Sequence, residues 1–203
     1  YRFCHYMHLE LQIVFWMPVA LLLVHRVVEQ GRLRDGVLLG LAMAAQLFSS
    51  IYMGVFSLVY LGVLIPALFL LGGFRRALKS LTPLTAGAVL AIVIVAPYAL
   101  AYSQAEREVG MPAAPDMVPY SASLKDYMAA PDINRIYGWT AQTDITSISE
   151  MNLFPGLLAC VLAALGVVRG QGKARFAYLA GLIIAIEMTR GAFSPIYRWL
   201  FEH

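Results

Sequence analysis

From Val37 to Leu71 the chain is apolar for 35 residues, broken by the stretch LFSSIYMGVF at Leu47 to Phe56. A single helix of that length would reach about 52 Å at about 1.5 Å per residue, against a bilayer hydrocarbon core of roughly 30 Å. One straight crossing is excluded, and a tight turn at Ser49 and Ser50 between two membrane helices fits instead. At such a turn the serine hydroxyls satisfy backbone groups freed from the helices, and Tyr52 suits the headgroup level. Gly36 and Gly40 before the turn, with Gly54 and Gly62 after it, permit close helix approach.

Four further apolar blocks follow the same logic: Leu9 to Val28, Leu81 to Tyr102, Leu153 to Val168 and Phe176 to Met188. With the long run split in two, they predict an all-α, polytopic integral membrane helix bundle of about six transmembrane helices, a single transmembrane helical domain over residues 1–203. Composition agrees, since 60% of residues are hydrophobic and 13% charged, with a mean hydropathy of +0.70. An ordinary soluble domain is about half apolar and a quarter charged.

Charge sets the direction. Arg26, Arg32 and Arg34 follow the first block, Arg75, Arg76 and Lys79 follow the long run, and Arg169, Lys173 and Arg175 follow the fifth span. Cytoplasmic connections carry the excess of Lys and Arg, and all three can face one side only if the long run crosses twice. The connection 103–150 is then external. It holds Arg107, Lys125 and Arg135 against seven acids, and Pro112, Pro115, Pro119 and Pro131 divide it. Within it, SASLKDYMAA predicts a short surface helix, because Ser123 and Asp126 have capping-box spacing and Leu124, Tyr127 and Met128 share a helical face.

Other classes fall away. A formal charge of +3 with its bases beside apolar blocks gives no nucleic-acid surface. Cys4 and Cys160 make no disulfide framework, and no phosphate loop, dinucleotide fingerprint, nucleophile elbow or zinc motif is present. Opening at Tyr1 without Met or a leader pattern, the chain reads as an internal piece of a larger protein.

Two clusters offer binding chemistry. In CHYMHLELQ, His5, His8 and Gln12 share one helical face at the outer end of the first span, with Glu10 turned away and Trp16 one turn on. They suit contact with a lipid phosphate, a divalent metal shared with a distant carboxylate, or an ordinary interfacial helix end. In EMTRGAFSPIYRW, Glu187 and Arg190 are three apart toward the outer end of the last span, placed as a buried charge pair or for substrate contact. Arg190 and Arg198 are outer cations suited to an anionic headgroup, whose phosphate a guanidinium grips as a fork. Tyr197 and Trp199 equally allow Arg198 to serve as an interfacial anchor. Asp132, Asp144 and Glu150 are the loop acids available as a general base, or are simply solvated.

The stretches HLELQIVFWMPVALLLVHR, GLAMAAQLFSSIYMGVF, YSASLKDYMAAPDINRIYG, EMNLFPGLLACVLAALGV and SPIYRWLFEH together resemble a bacterial group of large polytopic proteins in the GT-C superfamily of membrane glycosyltransferases. The resemblance implies a multi-pass enzyme of the bacterial plasma (inner) membrane. Such an enzyme takes a sugar from a polyprenyl-phosphate-linked donor at the outer face, using a carboxylate in its first external loop and often a divalent metal. That loop would precede Tyr1, and no residue here matches its carboxylate. This chain would supply the wall of the site, with membrane lipid and the lipid-linked donor as partners. A transporter or flippase of a lipid-linked or small polar substrate, or a non-catalytic membrane scaffold, are the competing readings.

Overall fold

A computed structural model describes residues 13–109, 118, 120–141, 152–170 and 172–195. Among them there is no strand. Six α-helices follow in order: α1 (Trp16–Gln30), α2 (Leu33–Ser49), α3 (Ile51–Gly72), α4 (Phe74–Val109), α5 (Leu157–Arg169) and α6 (Ala174–Thr189). They divide between two compact units. One holds α1 to α4 with the opening of α6 (Phe176–Gly181), and the other holds the connection after α4, α5 and the rest of α6.

Each of the six predicted spans has a helix, but among the described residues two are long and apolar enough to cross a bilayer: α3, and α4 over Phe74–Ala105. The others, with 15, 17, 13 and 16 residues, reach about 20–26 Å at about 1.5 Å per residue. That falls short of a hydrocarbon core of roughly 30 Å.

The turn in the long apolar run is one residue wide. Ser50, with φ −162° and ψ 112°, ends α2 and starts α3, and its Oγ accepts a hydrogen bond from Met53 N at 3.3 Å. A hydroxyl at this position satisfies one of the four amides that a helix start leaves without partners. Ser49 Oγ donates to Ala45 O at 2.7 Å, closing the other side. Tyr52 is exposed.

The basic connections are shorter than their charges suggested. Gly31, at φ +65°, stops α1 in a left-handed turn whose amide donates to Val27 O, and Gly73, at φ +89°, separates α3 from α4. Only glycine takes such angles without strain. With the stops made so tightly, Arg26 and Arg34 lie within α1 and α2, and Arg75, Arg76 and Lys79 occupy the first turns of α4. Arg and Lys are good helix formers, so helix propensity does not exclude them there. For the same reason α4 overruns its predicted span at both ends, and the long connection begins after Val109 rather than at Ser103.

SASLKDYMAA forms one 3-10 turn, Asp126–Met128, instead of an α-helix. Half of the capping box is made, with Ser123 N donating to Asp126 Oδ2 at 2.6 Å. The carbonyls of Asp126 and Ala129 accept from Leu153 N at 2.8 Å and Phe154 N at 2.9 Å, so tertiary pairing takes the groups that a longer helix would use. Leu124 and Met128 stay exposed, while Tyr127 is half-buried.

In the first unit α4 packs most extensively on α2. Gly36 and Gly40 of α2 meet Pro83 and Gly87 of α4 backbone to backbone, a partner the apolar run alone did not indicate. A Cβ at Gly40 would lie 2.2 Å from Gly87 O, and one at Gly87 would lie 2.2 Å from Gly36 O. Gly54 packs on Leu47 across the Ser50 turn, whereas Gly62 faces open space. Gly87→Ala should therefore cost about 1–3 kcal/mol, because backbone on both sides must give way. Gly62→Ala should be neutral, or stabilise by up to about 1 kcal/mol through helix propensity. Thermal melts of both variants in one detergent check this, and equal melting temperatures would refute the close contact.

Candidate functional site

The first unit contains an apolar groove of about 1080 Å³ between α2, α3 and α4. It exists because α4 is drawn onto α2 by the glycine contact while α3, one residue away in the chain, stays apart. Leu58, Gly62 and Pro66 line it from α3, and Ala88, Ala91 and Ala99 from α4. Small residues on both walls leave the space unfilled. The α4 wall runs from Leu84 to Leu100, about 24 Å at about 1.5 Å per residue. One end lies at the Ser50 turn, where Phe48 and Tyr98 meet edge to face with ring centroids 5.5 Å apart.

Two polar features sit outside the groove in the same unit. Asp35 of α2 is fully buried (0% exposed), and its Oδ1 lies 3.1 Å from Nη2 of Arg26, whose side chain is 33% exposed. The approach is out of line for a hydrogen bond, and neither carboxylate oxygen has one of good geometry. The pair is thus held by charge. Beside it, Ser80 of α4, also fully buried, places its hydroxyl 2.8 Å from Arg76 O and 3.2 Å from Val27 O, linking α4 to α1. The second feature joins α1 to the opening of α6. His25 Nε2 is 2.8 Å from the Tyr178 hydroxyl with the rings stacked, and the Tyr60 ring lies directly over Gly181.

In the second unit the long connection closes onto the end of α6. Ala122 N donates to Thr189 O at 3.0 Å, Ala192 N donates to Ser121 Oγ at 2.8 Å, and the Tyr127 hydroxyl meets that of Thr189. Here Arg190 Nη1 donates to Glu187 Oε1 at 2.7 Å, with the side chains 30% and 24% exposed, and Arg190 Nη2 donates to Phe193 O at 3.3 Å. Gly191, at φ +46°, lets the chain turn tightly beneath Ser121.

Of the residues singled out from the sequence, Glu187 and Arg190 are brought together. Asp132 is exposed, and its Oδ1 accepts from Ile133 N at 2.8 Å, a turn-forming contact. His5, His8, Gln12, Arg198, Asp144 and Glu150 lie outside the described residues, as do Glu10, Tyr197 and Trp199. Among the described residues no three His, Cys, Asp or Glu side chains gather as a metal site. Cys160 is exposed and unpaired.

Asp35 was missed, although the signal was there. It is the one carboxylate between Glu29 and Glu106, nine residues after Arg26 and across a glycine turn. Arg26→Gln should cost about 3 kcal/mol, the lower end of the range for stranding a buried charge, because Arg26 keeps a third of its surface in solvent. Adding Asp35→Asn should recover part of the loss. A double-mutant cycle on melting temperature reads the coupling, and strictly additive losses would show that none exists.

No protein-family model, curated protein or solved structure matches this chain.

Proposed function

We propose that this chain is the membrane-embedded, lipid-binding part of a glycosyltransferase-like protein of the bacterial inner membrane. It would hold the isoprenoid chain of a polyprenyl-phosphate-linked sugar while a carboxylate elsewhere in the parent acts on the sugar. The observation that carries this is the groove: about 1080 Å³, walled by hydrocarbon, and about 24 Å long between two helices that are themselves apolar enough for a bilayer. A long, thin, apolar occupant matches that shape, because ligand sites are mostly apolar with few polar groups to orient the ligand. Independently of the groove, His5, His8, Gln12, Arg190 and Arg198 are the residues proposed from the sequence for contact with a lipid phosphate, through cations, imidazoles and an amide that favour a charged oxygen.

Six crossings, with the Ser50 turn and the long connection outside, remain the topology that best fits the charge of the connections. The placement of Arg75, Arg76 and Lys79 at the start of α4 supports it. Cations at a helix N-terminus oppose the helix dipole by about 0.3–1 kcal/mol each, and the sidedness of a membrane would favour them there in spite of it. With Cys4 and Cys160 replaced by serine, single cysteines at Tyr52 and Arg135 should react with a membrane-impermeant thiol reagent added outside, and one at Arg75 should not. The reverse pattern would invert or abolish the topology.

Occupancy is tested by filling the groove. Gly62→Trp and Ala91→Trp put an indole into the open space without touching the α2–α4 glycines. In the reconstituted parent, both should reduce photo-crosslinking by a diazirine-bearing polyprenyl phosphate. They should also raise the KM for donor about tenfold with little change in kcat, the pattern of lost uniform binding. Unchanged crosslinking would empty the groove of this role. Movement of the lipid across the bilayer without cleavage would favour the transporter or flippase.

A further inference from the structure

The connection between α4 and α5 carries an apolar ridge that the lipid-groove proposal does not use. Ile133, Ile136 and Trp139 are 69%, 70% and 84% exposed. They recur at three-residue spacing through turns that end in the 3-10 turn Gly138–Thr140, and the Trp139 indole bonds back to Ile136. Several polar groups of the ridge are also paired. Trp139 Nε1 donates to Ile136 O at 3.1 Å, Asp132 Oδ1 takes Ile133 N, and Asn134 Oδ1 takes Ile136 N and Tyr137 N at 3.0 Å each. Burying a polar group without a partner is what normally bars a loop from lipid, and here those groups already have partners.

A second observation says where the ridge goes. The module 120–141 is fastened to the segment just before α5 by the hydrogen bonds of Leu153 and Phe154 and by the edge-to-face contact of Tyr137 with Phe154, centroids 5.1 Å apart. Helix α5 has no buried residue and is apolar all round up to Arg169, the mark of a helix meant for a core or a bilayer. Its last carbonyls are closed by Arg175, whose Nη1 donates to Val167 O, Val168 O and Gly170 O. With Arg169, Lys173 and Arg175 holding that end at one headgroup layer, a helix of 13 residues reaches only about 20 Å into a core of roughly 30 Å. The start of α5 therefore falls about 10 Å short of the opposite surface, and the module fastened at Leu153 and Phe154, a few residues before it, is close enough to occupy that gap.

We infer that Ile133, Ile136 and Trp139 form a wedge that inserts into the outer bilayer leaflet, making up the length that α5 lacks. The partner is lipid itself. Asp132 and Arg135, exposed on the same turns, stay at the headgroup level, where a long guanidinium stem can lie along apolar surface with its charge in water. The inference rests on the membrane reading proposed above, but not on the groove or on sugar transfer.

The test uses the full chain with Trp16→Phe and Trp199→Phe, leaving Trp139 as the sole fluorophore, in vesicles of phosphatidylcholine and phosphatidylglycerol. Trp139 emission should be blue-shifted and shielded from acrylamide. It should be quenched more by lipids brominated near the ester end of the chain than by lipids brominated near the methyl end. The double substitution Ile133→Ser, Ile136→Ser should shift emission to the red and restore acrylamide quenching. Because both side chains are exposed, the fold should survive, and an environment-sensitive dye on Ile136→Cys, with Cys4 and Cys160 replaced by serine, gives an independent reading. Trp139 freely quenched by acrylamide would overturn the wedge and show that the bilayer thins around α5 instead. Shielding from acrylamide without bromolipid quenching would overturn it too, since protein would then cover the ridge. Failure of the chain to float with vesicles at all would defeat the membrane reading as well, so the two failures are distinguishable.

Discussion

Backbone contact between α2 and α4 at Gly36, Gly40 and Gly87 is the constraint on which the first unit depends. Three missing side chains let two helices approach until peptide groups touch, and that contact is made of dispersion between close-packed atoms rather than of any directed bond. Its consequence is felt on α3. Joined to α4 by Gly73 alone, α3 would be expected to lie along it, yet α4 has its small-residue face committed to α2. The groove is the space left by that choice, and Gly62, Ala88 and Ala91 keep it from closing.

The Ser50 turn was legible because two independent quantities demanded it: a run too long for one crossing, and a charge pattern that alternates only if the run crosses twice. Serine then fits for a local reason, since one hydroxyl caps the helix that begins as another ends. The all-helical character was equally plain, because blocks of Leu, Val, Ala and Ile without period-two alternation offer no half-buried strand. Helix ends were less legible. Charge does not mark where a helix stops, and Arg75, Arg76 and Lys79 lie inside the first turns of α4 rather than in a connection.

Partners in space were the least legible part. Gly36 and Gly40 announced a close approach without naming Gly87, since helical spacing fixes a face and not its neighbour. Asp35 was overlooked because an acid among arginines reads as surface, when a turn of two residues, Gly31 and Arg32, folds it back beneath Arg26. In the capping box the local signal was read correctly and then outcompeted. Asp126 returns its hydrogen bond to Ser123, but Leu153 and Phe154, some 27 residues on, claim the next carbonyls.

That competition also explains how the second unit holds together. At the end of α5, Arg175 reaches back to cap the helix before it. At the other end the long connection performs the same task from a distance, with Ser121, Ala122 and Tyr127 gripping the close of α6 while Asp126 and Ala129 grip the approach to α5. The approach to α5 and the close of α6 are thus tied by hydrogen bonds to backbone, which do not require a buried core between the helices. An apolar helix such as α5 can then keep its whole surface free for surroundings that are themselves apolar, and the exposed ridge on the connection is the same economy of side chains carried out to the surface.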